Sequence, residues 1–181
     1  VSARFLEGLF EGRHGSIPAF VQLEDLTVDG AAHLRLGDGW SGRDLCLRNC
    51  RFEGRVHLDG AFRRLTLSGC SAALLSLRRM SAEVVEIEGL DVPGHLQGED
   101  MAVHDLRLRA SRIGGMVALD GAAVAGVLTL EGSRIGSGKA AIQAEGLSVG
   151  RLLSLGGPEG ELVLDGVAGF AGARIGTLAT E

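Results

Sequence analysis

The chain has 181 residues, a formal net charge of −5, 29 Gly, six Phe, one Trp and no Tyr. Its 45% hydrophobic content argues against disorder, three Pro beside so much Gly argue against a low-complexity chain, and no apolar run of ~18 residues offers a membrane span. No basic stretch followed by an apolar one is visible, so no secretory signal is expected. An ordinary core leans on aromatic rings, which bury the most area each. This chain must fill its interior with aliphatic side chains instead.

One domain is expected over 1–181. At its start, VSARFLEGLFEG places Phe5, Leu6, Leu9 and Phe10 on one helical face, which predicts a short capping helix within 1–15. Residues 16–44 read as atypical first coils, with candidate strands in QLEDLTV and AHLRL.

From 45 to 178 the chain repeats. The segments DLRLRASRIGG, MVALDGAAVAG and VLTLEGSRIG, from Asp105 to Gly136, align without gaps at a period of 11. Their columns are Leu106/Val117/Leu128, Leu108/Leu119/Leu130, Ser111/Ala122/Ser133 and Ile113/Val124/Ile135. Backwards, with one-residue slips, Leu45, Leu47, Cys50 and Phe52 fill the same columns, as do Leu65, Leu67, Cys70 and Ala72, and Val85, Ile87, Leu90 and Val92. The weakest copy supplies Leu96, Met101 and Val103, and GGPEG at Gly156–Gly160 reads as a loop.

Each L-x-L is an alternating strand triplet, followed by a turn often marked by Gly60, Gly69, Gly89, Gly121 or Gly132. Strands this short, with corners this frequent, suit a solenoid of stacked parallel coils rather than a sandwich. Charge chooses the coil length. At an offset of 21, Glu86 meets Arg107, Glu88 meets Arg109 and Asp91 meets Arg112. At half that offset Glu88 would meet Glu99, which is repulsive. Two units per coil are therefore expected. The fold class is all-β, a right-handed parallel β-helix forming a quadrilateral solenoid with about 20–22 residues per coil.

The spacing of a small residue and an apolar one two positions on, in Cys50–Phe52, Ser111–Ile113 and Ala122–Val124, resembles the pentapeptide-repeat family. That resemblance implies the right-handed quadrilateral β-helix. The units here run 10 or 11 residues rather than a strict five. They look closer to degenerate L-x-L-x-G-A-x-I-x-G arrays of high-GC bacteria, often labelled membrane-associated oxidoreductases without an evident redox motif. The resemblance covers roughly residues 45–178.

The chemistry is sparse. Cys50 and Cys70 share an inward column and Cys46 points outward, with no C-x-x-C. The five His (His14, His33, His57, His95 and His104) show no ordered ligand spacing, so no metal site and no cofactor is expected. His95 and His104 lie near Glu99, Asp100 and Asp105, but they read as solvated surface residues. The odd thiol count points to a reducing, cytoplasmic setting. No P-loop and no G-x-S-x-G elbow is present.

Charge is unevenly spread. Residues 35–79 carry nine Arg and four acids, whereas seven acids and no base lie between Arg79 and Arg107. The candidate interaction surface is Glu86, Glu88, Asp91, Glu99, Asp100 and Asp105 beside Arg63, Arg64, Arg78 and Arg79. The expected function is a non-enzymatic binding or assembly module that acts through outer faces or coil ends, with a protein partner or itself. One alternative, implied by the resemblance, is a DNA mimic that binds a type II topoisomerase. Another is a β-helix enzyme with a surface carboxylate site. The acidic pI and the scarcity of stacking rings disfavour nucleic acid as a partner.

Overall fold

The structure is a computed structural model that describes residues 1–13, 18–35, 42–157 and 160–180. The loop expected at Gly156–Gly160 lies partly outside them, as does His14. The chain forms a mostly β parallel solenoid of about seven turns with one short N-terminal helix.

Alternation within each L-x-L decides the build. On the first face, every second residue points inward and meets its counterpart one coil on. Val21, Leu45, Leu65, Val85, Leu106, Leu128, Leu153 and Leu178 follow one another in unbroken parallel register. From Leu45 to Leu153 these residues are at most 3% exposed. A second face stacks Val28 on Phe52, and further along Val92 on Ile113 and Ile135. A third stacks Ala32, Val56, Leu75, Leu96, Val117 and Ile142. A fourth stacks Phe62, Ala82, Val103, Val124 and Val149. Four short faces enclose an interior one side chain deep, which aliphatic ladders fill at close packing.

The register confirms two units per coil. Glu86 pairs with Arg107, Glu88 with Arg109 and Asp91 with Arg112 across adjacent strands. The central coils keep the expected length, but the ends are longer. Phe20 pairs with Asp44, 24 residues away. Arg134 pairs with Val163, 29 residues away: the strand Arg134–Gln143 carries extra residues between Gly136 and Ala140, and the segment between Ser154 and Val163 adds more. A solenoid tolerates such insertions where they bulge outward without breaking the inner ladders.

Corners are also stacked. Asp25, Asn49, Gly69, Gly89, Ala110 and Gly132 all adopt positive φ, between 46 and 62°, at one corner of successive coils. Each N–H from Asn49 to Gly132 donates to a carbonyl of the next coil, so the bend is shared along the stack. The left-handed conformation costs a residue with a Cβ roughly 1–2 kcal/mol. Ala110 bears that cost at φ 46° between Gly89 and Gly132. Gly loses about 0.4–1 kcal/mol of that relief to its freer unfolded chain. Ala110→Gly is therefore expected to stabilise the fold by about 0.5–1 kcal/mol in urea unfolding; a loss of stability would contradict the strain.

The helix Ala3–Phe10 starts at Ser2, whose hydroxyl accepts the Phe5 N–H. It buries Ala3, Leu6 and Phe10, which join Val28, Ala32 and Leu34 in the core. Phe5, expected on the same face, is instead 53% exposed. At 100° per residue, the spacing from Ala3 to Leu6 to Phe10 defines the buried stripe, and Phe5 falls beside it. The helix is fixed to the first coil by the Glu7 carboxylate, which accepts the His33 N–H at 3.0 Å.

Candidate interaction surfaces

The acidic coil is partly neutralised, from both sides. Glu86 sits between Arg64 at 3.1 Å and Arg107 at 2.9 Å, and Arg107 also reaches Asp105 at 3.1 Å. Arg63 grips Asp44 through two nitrogens, at 2.8 and 2.6 Å, and that contact holds the Asp44 carboxyl below its ordinary range. Arg78 pairs with Glu99 at 2.8 Å. In-register strands lie about 4.8 Å apart, so opposite charges one coil apart meet without reaching.

Arg109 departs from expectation. Its strand neighbour on one side is Glu88, but its nearest carboxylate is Glu131 on the other side, at 3.7 Å. Glu131 is 7% exposed, whereas Glu88 is exposed, and the drier carboxylate draws the guanidinium. Glu88, Asp91, Asp100 and Arg79 are exposed and make no ion pair among the described residues. The candidate surface is thus a ladder of mutual pairs with four open charges. A shallow groove of about 180 Å³ runs between Thr66, Ser68, Glu86, Glu88, Arg107 and Arg109.

Asp105 is committed to the scaffold. One of its oxygens accepts the Val127 N–H at 2.9 Å and contacts His104 Nδ1 at 3.1 Å. His95 Nδ1 likewise takes the Met116 N–H at 3.0 Å. His95 thus links its coil to the next and His104 contacts its chain neighbour, and neither belongs to a group of three possible metal ligands among the described residues.

The cysteines follow the columns. Cys50 and Cys70 are 1% and 3% exposed, and each thiol donates to the carbonyl two residues earlier. Ser111 and Ser133 make the same bond from the same column. Contact with Cys50, together with burial, pushes the Cys70 thiol well above the usual thiol range. Cys46 lies outside the core cluster, yet it is only 5% exposed. An outer position between Gln22 and Thr66 in adjacent strands is enough to cover a side chain that small.

Two further features complete the surface, the first within the expected array and the second outside its period. The first is the coil of strands Val163–Gly169 and Arg174–Ala179. Among the described residues each pairs on one side only, and Val163, Val167 and Leu178 are 40%, 69% and 56% exposed. The second is a cluster on the third face. The strands Ala32–Arg35 and Arg55–Asp59 pair His33 with His57. Their rings meet edge to face at 4.5 Å, and Asp59 joins them, with one ligating atom of each residue within 4.8 Å of the others. Burial, and then the neighbouring His33, lower the proton affinity of His57 despite Asp59. The parallel wording of AHLR and VHLD carried the signal, but at an offset of 24 that the repeat period did not suggest.

Compared with protein-family models, with curated proteins and with solved structures, the chain finds no match.

Proposed function

We propose that this chain is a non-enzymatic assembly module that joins a second copy of itself, tail to tail, through the coil of Val163–Gly169 and Arg174–Ala179. The observation that carries the reading is the exposure of Leu178 at 56% on a ladder whose preceding rung, Leu153, is fully buried. An unpaired edge with apolar rungs is a template for another strand. The opposite end is covered by the helix Ala3–Phe10, so head-to-tail stacking would meet a closed face. Two like edges meeting around a two-fold axis close the assembly as a dimer. The mutual pairing of Arg64, Glu86, Arg107 and Asp105 supports a structural role for the charged face rather than a charged docking stripe.

Within this reading, the array is a degenerate relative of the pentapeptide-repeat class, on the spacing of Cys50–Phe52, Ser111–Ile113 and Ala122–Val124. The odd number of cysteines supports a reducing compartment such as the cytoplasm.

Sedimentation velocity over a range of concentrations tests the assembly. The chain is expected to pass from monomer to dimer, and Leu178→Glu with Val167→Lys is expected to hold it monomeric with an unchanged β spectrum. A monomer at every concentration, or a dimer indifferent to both substitutions, would overturn the reading.

A further inference from the structure

We propose that His33, His57 and Asp59 form a binding site for a divalent transition-metal ion of the zinc class, clipping the first coil to the second. The geometry starts from the backbone. His33 and His57 are in-register partners on adjacent parallel strands, and Asp59 follows His57 by two, so all three project from one face. Leu34 and Leu58, which alternate with them, are fully buried, and this fixes the direction of the outer residues.

One ligating atom of each residue already lies within 4.8 Å of the other two. Zinc–nitrogen and zinc–oxygen bonds of about 2.0–2.2 Å require them to close to roughly 3–3.5 Å. Rotation of the three side chains, freest for the exposed His33, is the adjustment that closes them. Two imidazoles and a carboxylate suit zinc, nickel, cobalt(II) or copper(II), and disfavour calcium and magnesium, which prefer oxygen alone. Three protein ligands leave a position for water.

A separate observation points to that water. Ser76 is the in-register partner of His57 on the next coil. It is 3% exposed, and its hydroxyl has no hydrogen-bond partner among the described residues. A buried hydroxyl left unsatisfied is costly, and a metal-bound water beside His57 would satisfy it. The charges around the site are mixed. Asp59 offsets the ion, while Arg78 and Arg79 raise its cost, Arg78 being engaged by Glu99 at 2.8 Å. A dication with one carboxylate and two neutral imidazoles is therefore held by ligand bonds more than by the local field.

The test uses the whole chain. Titration with cobalt(II), followed by its visible absorption, and with zinc(II), followed by calorimetry, is expected to saturate at one ion per chain in the micromolar range. Zinc is expected to raise the unfolding midpoint. His57→Ala and Asp59→Asn are expected to weaken binding by at least about tenfold, as is His33→Gln, which alters an exposed side chain and spares the fold. A variant carrying both His95→Ala and His104→Ala is expected to bind as the parent does. No saturable binding at millimolar ion would overturn the site. So would binding lost with His95 and His104 but kept without His33. These readouts are independent of the dimer described above, because the tail-coil substitutions lie on the last turn and leave the site intact.

Discussion

Leu119→Ala is expected to lower the stability of the fold by about 2–5 kcal/mol. Leu119 is 2% exposed and lies one coil beyond Gly98 in its inner column. Gly98 brings no side chain to that column. A Cβ placed there would stand 2.8 Å from the Met101 sulfur and 3.0 Å from a Leu119 methyl, so those two side chains already fill its space. Truncating Leu119 thus opens a void that spans two rungs. Rigid strands on both sides limit collapse, which places the cost toward the upper part of the range for such truncations. Urea unfolding of the variant beside the parent checks it. A change below about 0.5 kcal/mol, the size of an ordinary surface substitution, would place Leu119 outside the inner ladder.

Gly114→Ala is expected to cost about 1–3 kcal/mol or more, by crowding rather than by loss. A Cβ at Gly114 would stand 2.5 Å from the Pro93 carbonyl oxygen and 3.1 Å from its carbon. These are backbone atoms of the coil beneath, and moving them disturbs the adjoining pairing of Asp91 and Val92 with Arg112 and Ile113. The requirement recurs where coils touch. A Cβ at Gly94 would lie 2.4 Å from the Ala73 oxygen, and one at Gly150 would lie 2.3 Å from the Ala125 oxygen. Gly98→Ala is the matching control. It crowds only a Met sulfur, a Leu methyl and, at 3.6 Å, one carbonyl oxygen, and flexible side chains yield more cheaply. Gly114→Ala is expected to lower the unfolding midpoint clearly more than Gly98→Ala. Equal effects would show that the coils are not held at this contact.

The two glycine roles mark how far reading along the chain can go. Gly69, Gly89 and Gly132 were legible as corners because they share a slot after each L-x-L, and their positive φ bears this out. Gly94, Gly114 and Gly150 are needed for a different reason, the approach of the next coil, and that contact joins residues about a coil apart. The charges divide in the same way. The 21-residue matching of Glu86 with Arg107 fixed the register, yet whether Arg109 turns to Glu88 or Glu131 depended on which carboxylate is the drier. Phe5 was placed on the wrong side of its helix, because an apolar side chain near the stripe cannot be told from one on it until the partner surface is known.

By itself, the amino-acid sequence determined the stacked β architecture, the two units per coil, the inward columns and the terminal helix. Each of these is a local period: alternation within a strand, a bend after it, and a repeat of both. Only the tertiary structure decided which groups meet across coils of unequal length. It placed His33 beside His57 at an offset of 24, left the Ser76 hydroxyl next to them without a hydrogen-bond partner among the described residues, and exposed Val167 and Leu178 on the coil of Val163–Gly169 and Arg174–Ala179. Contacts between coils depend on the summed lengths of the intervening turns, and an insertion at a corner changes the offset of every pair that spans it.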